Sequence, residues 1–262
     1  MRALAPVWNE TERRLRAPVR IALTALVAVL TGAGLGVALS TLPAPSTPQV
    51  TVLASTVLSA VAVGVGVGVA AVLLDRRRLR GYGLALDGAW LRDLVAGVAL
   101  GALLMTGILA VSLAAGWATV VDVGQVSGRL SLPVAFALVA VAFVLVAVGE
   151  ELAVRGYLLT NLAEGLQPLG DRAAAAGAVG LSSLVFGGLH AANPSATAVS
   201  VAGISLAGVM LGLGYVYTGR LGLPVGLHFS WNLFQGPMYG FPVSGIDLGV
   251  SLLVWRSPAR RR

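Results

Sequence analysis

The sequence contains no cysteine and no lysine. The first absence excludes disulfides, thiol nucleophiles and thiolate metal sites. The second means that all eighteen basic residues are arginines, so the net charge of +7 is best read through where those arginines stand. Charge is scarce altogether: 11% of the 262 residues are charged and 57% are hydrophobic, with a mean hydropathy of +0.88, whereas soluble domains carry roughly one quarter charged residues. The bilayer is the expected solvent and main partner, a nucleic acid is not expected as one, and the expected fold is all-α, a polytopic transmembrane helix bundle.

Long apolar runs occupy positions 19–42, 50–74, 94–116, 130–158, 173–192, 196–217, 221–236 and 240–255. Most approach the roughly 20 residues that cross the hydrocarbon core as helix, which predicts about eight spans. Pro224, Gly226, Gly236 and Pro237 break up the seventh run, and irregular backbone at membrane depth belongs inside the protein. Arg2, Arg13, Arg14, Arg16 and Arg20 precede the first run. Arg76, Arg77, Arg78, Arg80 and Arg92 follow the second, and Arg256, Arg260, Arg261 and Arg262 follow the last. With eight spans these clusters share one face, which the positive-inside rule makes cytoplasmic together with both termini. The first run is expected to be a retained helix, since it is longer than a signal-peptide core. Gly97 with Gly101 is one of several GxxxG pairs, a spacing that permits close helix contact but that 34 glycines also produce by chance. The expected organisation is three N-terminal helices with basic segments in 1–120, a catalytic core in 130–235, and a last span with a basic tail in 236–262.

Only five glutamates occur, and two of them, Glu150 and Glu151, stand together after an apolar stretch. Alone, such a pair would suit a solvated helix end beside Arg155. Glu151 and Arg155 are four apart and can pair on one helix face, while Glu150 is turned about 100° away and remains available. Both histidines lie in apolar runs with a partner four residues away: Phe186 with His190, and His228 with Asn232. One histidine in such a run is ordinarily a packed core residue. Two of them, an asparagine and a glutamate pair on separate spans form a set, because polar groups in a bilayer turn inward and seek one another.

That set suits amide hydrolysis by an activated water. Glu150 would act as general base with His190 holding the same water, and His228 with Asn232 would donate to the oxyanion. Other intramembrane protease chemistries fit less well. Neither histidine opens a HExxH motif. Gly180-Leu181-Ser182-Ser183 and Gly203-Ile204-Ser205-Leu206 lack the final glycine of a serine-dyad motif. Only Asp93 and Asp247 lie near run edges as candidates for an aspartyl pair.

Glu150-Glu151-Leu152-Ala153-Val154-Arg155 resembles the EExxxR motif of the CPBP family of intramembrane proteases, which includes type II CAAX prenyl endopeptidases and bacterial Abi proteins. Phe186 to His190 resembles its FxxxH motif, and His228 to Asn232 its HxxxN/D motif, in the same order. The resemblance implies peptide-bond hydrolysis near the cytoplasmic side by Glu150 and His190, with Glu151, Arg155 and Phe186 in support, on a peptide or membrane-protein substrate. It leaves open a zinc ion, for which Glu150, His190 and His228 would be the ligands; the metal-free reading is preferred because His228 and Asn232 suit an oxyanion hole. An arginine-rich chain without an organelle signal is expected in the bacterial cytoplasmic membrane. The competing readings are a non-catalytic scaffold or immunity protein and, more distantly, a proton-coupled transporter. One difficulty is depth. At 1.5 Å per residue, Glu150 descending from Pro133 and His190 ascending from Ala173 would each lie about 25 Å along their helices, near opposite surfaces.

Overall fold

A computed structural model describes residues 7–43 and 47–256; Arg2, Arg260, Arg261 and Arg262 lie outside them. The elements in chain order are β1 (Trp8–Asn9), β2 (Arg14–Leu15), α1 (Ala17–Leu39), α2 (Pro48–Val69), α3 (Gly88–Ala114), β3 (Thr119–Val126), α4 (Leu132–Glu151), α5 (Thr160–Leu166), α6 (Asp171–Leu189), α7 (Ala198–Thr218), α8 (Gly222–Leu233) and β4 (Val250–Arg256). Prolines in the first turns of α1, α2 and α4 start helices where a missing N–H costs nothing. The Asp87 carboxylate caps α3 by accepting the Trp90 N–H at 2.9 Å, and Thr197 with Ser200 forms a capping box on α7.

Six helices among the described residues are long and apolar enough to cross a membrane, so the fold is the expected all-α membrane bundle. The eighth expected span is not a helix. After α8, a π-helical turn holding Pro237 runs over Phe234–Met238, and Gly240, Gly245 and Gly249 adopt positive φ, which ends any helix. Residues 250–256 then form β4, antiparallel to β3 with Val126 opposite Val250 and Thr119 opposite Arg256. The consequence is topological. Arg256 lies beside the end of α3, whereas Trp8 and the arginines around α1 lie at the end where α3 begins, so the two ends of the described chain occupy opposite ends of the bundle and not the expected single face.

The expected depth conflict between Glu150 and His190 is also resolved. The fourth run does not end as a helix near residue 158. It continues from α4 through a π-helical stretch and α5 as one helical segment, Leu132–Leu169, of 38 residues. At Gly170, whose φ of 88° is open to glycine, the chain reverses into α6. Glu150 lies twenty residues before that turn and His190 twenty after it, so an antiparallel hairpin carries both to the same level.

At the end of the bundle holding this turn, buried charges knit the helices together. Asp75 accepts from the guanidinium of Arg20, from the Tyr82 hydroxyl (2.5 Å) and from Asn161 (3.1 Å). Glu164 receives Arg14, Arg20 and Arg77. Burial, and then the neighbouring Asp75 carboxylate, holds the Tyr82 phenol well above its ordinary pKa, so it serves as a neutral donor.

Helices α3 and α8 pack backbone against backbone. A Cβ added at Gly97 would lie 2.3 Å from the Leu223 carbonyl oxygen, at Gly101 2.2 Å from Ser230 Oγ, at Gly222 2.3 Å from the Trp90 carbonyl oxygen, and at Gly226 2.2 Å from that of Leu94. Glycines four apart on both helices therefore let the backbones touch, and this contact holds α8 in the interior. Gly226→Val is expected to push α8 off α3 and destabilise the protein by about 1–3 kcal/mol or more. A thermal-unfolding midpoint in detergent equal to wild type would contradict the contact.

Candidate active site

The side chains with chemical potential converge on one cavity of about 490 Å³, lined by Glu150 at the end of α4, Phe186 and His190 on α6, and His228, Trp231 and Asn232 on α8. This is ample for a segment of extended peptide. The helical spacing of four accounts for each pairing. Phe186 with His190, and His228 with Asn232, present one face of their helix to the same space.

Glu151, directly after Glu150, is turned away and wholly buried with Arg155. Its Oε1 accepts from Arg155 at 2.8 Å and from His228 Nδ1 at the same distance. Arg155 continues the chain of contacts: its second terminal nitrogen donates to the Gly208 carbonyl of α7 at 3.2 Å, and its guanidinium carbon lies 4.3 Å from the centroid of the Phe186 ring, within cation–π range. Phe186 in turn meets both imidazoles edge-on, His190 at 4.7 Å and His228 at 6.0 Å. Gly208 permits its part because α7 packs hard on α6 there, with Ser183 Cβ 3.0 Å from where its own Cβ would stand.

Each imidazole is thereby fixed with one nitrogen occupied. His190 Nδ1 bonds the Phe186 carbonyl at 2.7 Å, which assigns its proton to that nitrogen and leaves Nε2 as a free acceptor. His228 Nδ1 is held by Glu151, which leaves Nε2 3.9 Å from Glu150 Oε2. Glu150 Oε2 has no hydrogen-bond partner, although its side chain is 38% exposed to the cavity. Asn232 is buried at the cavity wall. The arrangement offers a carboxylate and two oriented imidazoles around a space that admits water, the components of general acid–base chemistry.

The sequence-predicted residues Glu150, His190, His228, Asn232 and Phe186 all line the cavity, and Glu151 with Arg155 lies behind it. Two features were not foreseen. Glu151 orients His228 as well as pairing with Arg155, a contact between residues 77 apart with no local signature. Trp231 donates to Gln235 at 2.9 Å and Gln235 to the Pro242 carbonyl at 2.6 Å, tying the cavity wall to the loop above it; the i, i+4 spacing of Trp231 and Gln235 was the available hint. Among the described residues no three His, Asp or Glu side chains are grouped closely enough to hold a metal ion.

The fold and the site together define a helical membrane bundle with a carboxylate and two histidines around one interior cavity. Residues 132–234 match the family model described as type II CAAX prenyl endopeptidase, Rce1-like, so this segment is similar to the CAAX-type intramembrane proteases. No curated protein and no solved structure matches the chain. The matched residues begin with α4 and end just past α8, and so include Glu150, Phe186, His190, His228, Trp231 and Asn232.

Arg155→Ala should cost about 3–5 kcal/mol, since it strands Glu151 in a site without water. The double variant Arg155→Met with Glu151→Gln should recover much of that loss. Both are read from equilibrium unfolding in detergent, and a full-strength Arg155→Ala protein would contradict the buried pair.

Proposed function

We propose that this protein is a membrane-embedded endopeptidase in which Glu150 activates water for attack on a substrate carbonyl, with a substrate that is a peptide or membrane-protein segment. The observation that carries the proposal is the Glu150 carboxylate, with its unpartnered Oε2, facing the same cavity as two imidazoles of fixed orientation. Glu150 takes one proton of a water whose other O–H donates to His190 Nε2. The water oxygen bonds to the carbonyl carbon, and the carbonyl electrons move to its oxygen. His228, in the form protonated at both nitrogens with Nδ1 donating to Glu151, donates from Nε2 to that oxyanion, together with the Asn232 amide. When the tetrahedral species collapses, the C–N bond breaks and Glu150 returns the proton to the leaving amine. The products are a carboxylate and an amine, with one water consumed.

The reaction so written needs no metal. His228 Nδ1 is engaged by a carboxylate and His190 Nδ1 by a carbonyl, so only their Nε2 atoms and Glu150 could serve as ligands if zinc were recruited. The proposed location is the bacterial cytoplasmic membrane.

Purified protein incubated with a peptide library should yield products, identified by mass spectrometry. Glu150→Gln and His190→Ala should each lower turnover at least 100-fold, and His228→Ala by 100- to 1,000-fold, the range for loss of an oxyanion donor. A chelator should have no effect; loss on chelation restored by zinc would replace the metal-free mechanism with a zinc one. Cleavage by Glu150→Gln equal to wild type would remove Glu150 from the chemistry, and a cellular phenotype complemented equally by all three variants would favour a scaffold.

A further inference from the structure

The cavity has a direction, and the arginines supply the compass. Of the fourteen described arginines, eleven lie at the end of the bundle where α3 and α6 begin and α7 ends: Arg13, Arg14, Arg16 and Arg20 around α1, Arg76, Arg77, Arg78 and Arg80 after α2, then Arg92, Arg172 and Arg220. Arg155 is in the core, and Arg129 and Arg256 lie at the other end. The arginine-rich end is cytoplasmic by the positive-inside rule, which weighs short loops and the first helix most heavily.

The cavity occupies the opposite half. Its α2 wall is Val52, Ser55 and Thr56, within the first three turns after Pro48, and its α7 wall begins at Ser200, in the first turn of that helix. Both helix starts lie at the arginine-poor end: Gln49 donates to the carbonyls of Leu248 and Gly249 beside the β3–β4 ribbon. The floor is formed by buried Phe186, Leu211 and Leu227. The rim is formed by two exposed loops, one after His190 through Pro194 and Ala196, the other through Pro242 and Ile246. These loops touch, since a Cβ at Gly245 would fall 1.9 Å from the Pro194 carbonyl oxygen. Glu150 is the one Asp, Glu or Arg in the lining, so nothing at the mouth favours a charged segment.

We propose that the cavity takes its substrate from the extracytoplasmic side of the membrane, as an uncharged stretch of an exported or membrane-anchored polypeptide. This rests on the cavity being the active site, and it departs from the cytoplasmic access that the sequence resemblance implies. A water-filled approach of this kind also accounts for a glutamate side chain that is 38% exposed 18 residues along α4, where a lipid-facing one would be expensive.

The absence of cysteine makes the test clean. Single-cysteine variants Ala196→Cys and Ile246→Cys at the rim, and Arg78→Cys at the opposite end, are expressed in cells and treated with a membrane-impermeant maleimide. The rim cysteines should be labelled in intact cells as fully as in opened membranes, while Arg78→Cys should react only after the membrane is opened. The reverse pattern, equal labelling of all three in intact cells, or rim cysteines that react from neither side each overturn the proposal. Cleavage measured in the same variants separates the two readings: inactivity of wild type on every peptide would sink the protease reading while leaving the labelling pattern intact, and a reversed pattern with normal cleavage would sink only the sidedness.

Discussion

A carboxylate wholly removed from water must be neutralised where it stands, and the site is arranged around that constraint at Glu151. Its Oε1 is shared by a guanidinium from one helical turn further on and an imidazole from α8. Arg155 cannot leave without stranding Glu151, and it is itself held by a carbonyl on α7 and the face of Phe186 on α6. Four helical segments thus meet at two side chains. The effect reaches the cavity through the histidines: Glu151 settles which nitrogen of His228 faces Glu150, and Phe186 abuts both rings.

The helical architecture imposes the second condition. A residue at the end of one span and a residue at the end of the next meet only if the turn between them lies far beyond both. The 38-residue segment ending at Leu169 and the reversal at Gly170 supply this. The bend is secured by packing and by the charge network of Arg20, Asp75 and Glu164, which pins α5 to α1 and to the segment after α2. The glycines of α3 and α8 do the equivalent for His228, since a 12-residue helix is too short to cross the bilayer and is placed by contact alone.

Much of this was legible in the chain. Six of the apolar runs became membrane-length helices because twenty consecutive apolar residues have few alternatives in lipid. The run at 240–255 misled because hydropathy does not separate an apolar strand from an apolar helix; its glycines and Pro242 carried the distinction, and β3, its partner, lies more than a hundred residues away. The cavity residues were legible as polar exceptions at helical spacing. The bond from Glu151 to His228 was not, because which carboxylate of an adjacent pair turns inward depends on the rotation of α4 against α8, and periodicity fixes only their relative angle. The expected placement of the C-terminal end on the face of the N-terminus followed from the same misreading.

The central claim is that Glu150 delivers water and does not itself bond to the substrate. Repeated turnover of a cleaved peptide in ¹⁸O-labelled water, followed by mass spectrometry of the product and of the enzyme fragment holding Glu150, tests it most directly. Label should appear in the new carboxylate of the product and be absent from Glu150. Label accumulating in the Glu150 carboxylate would show that it had been acylated and hydrolysed, and would contradict the mechanism.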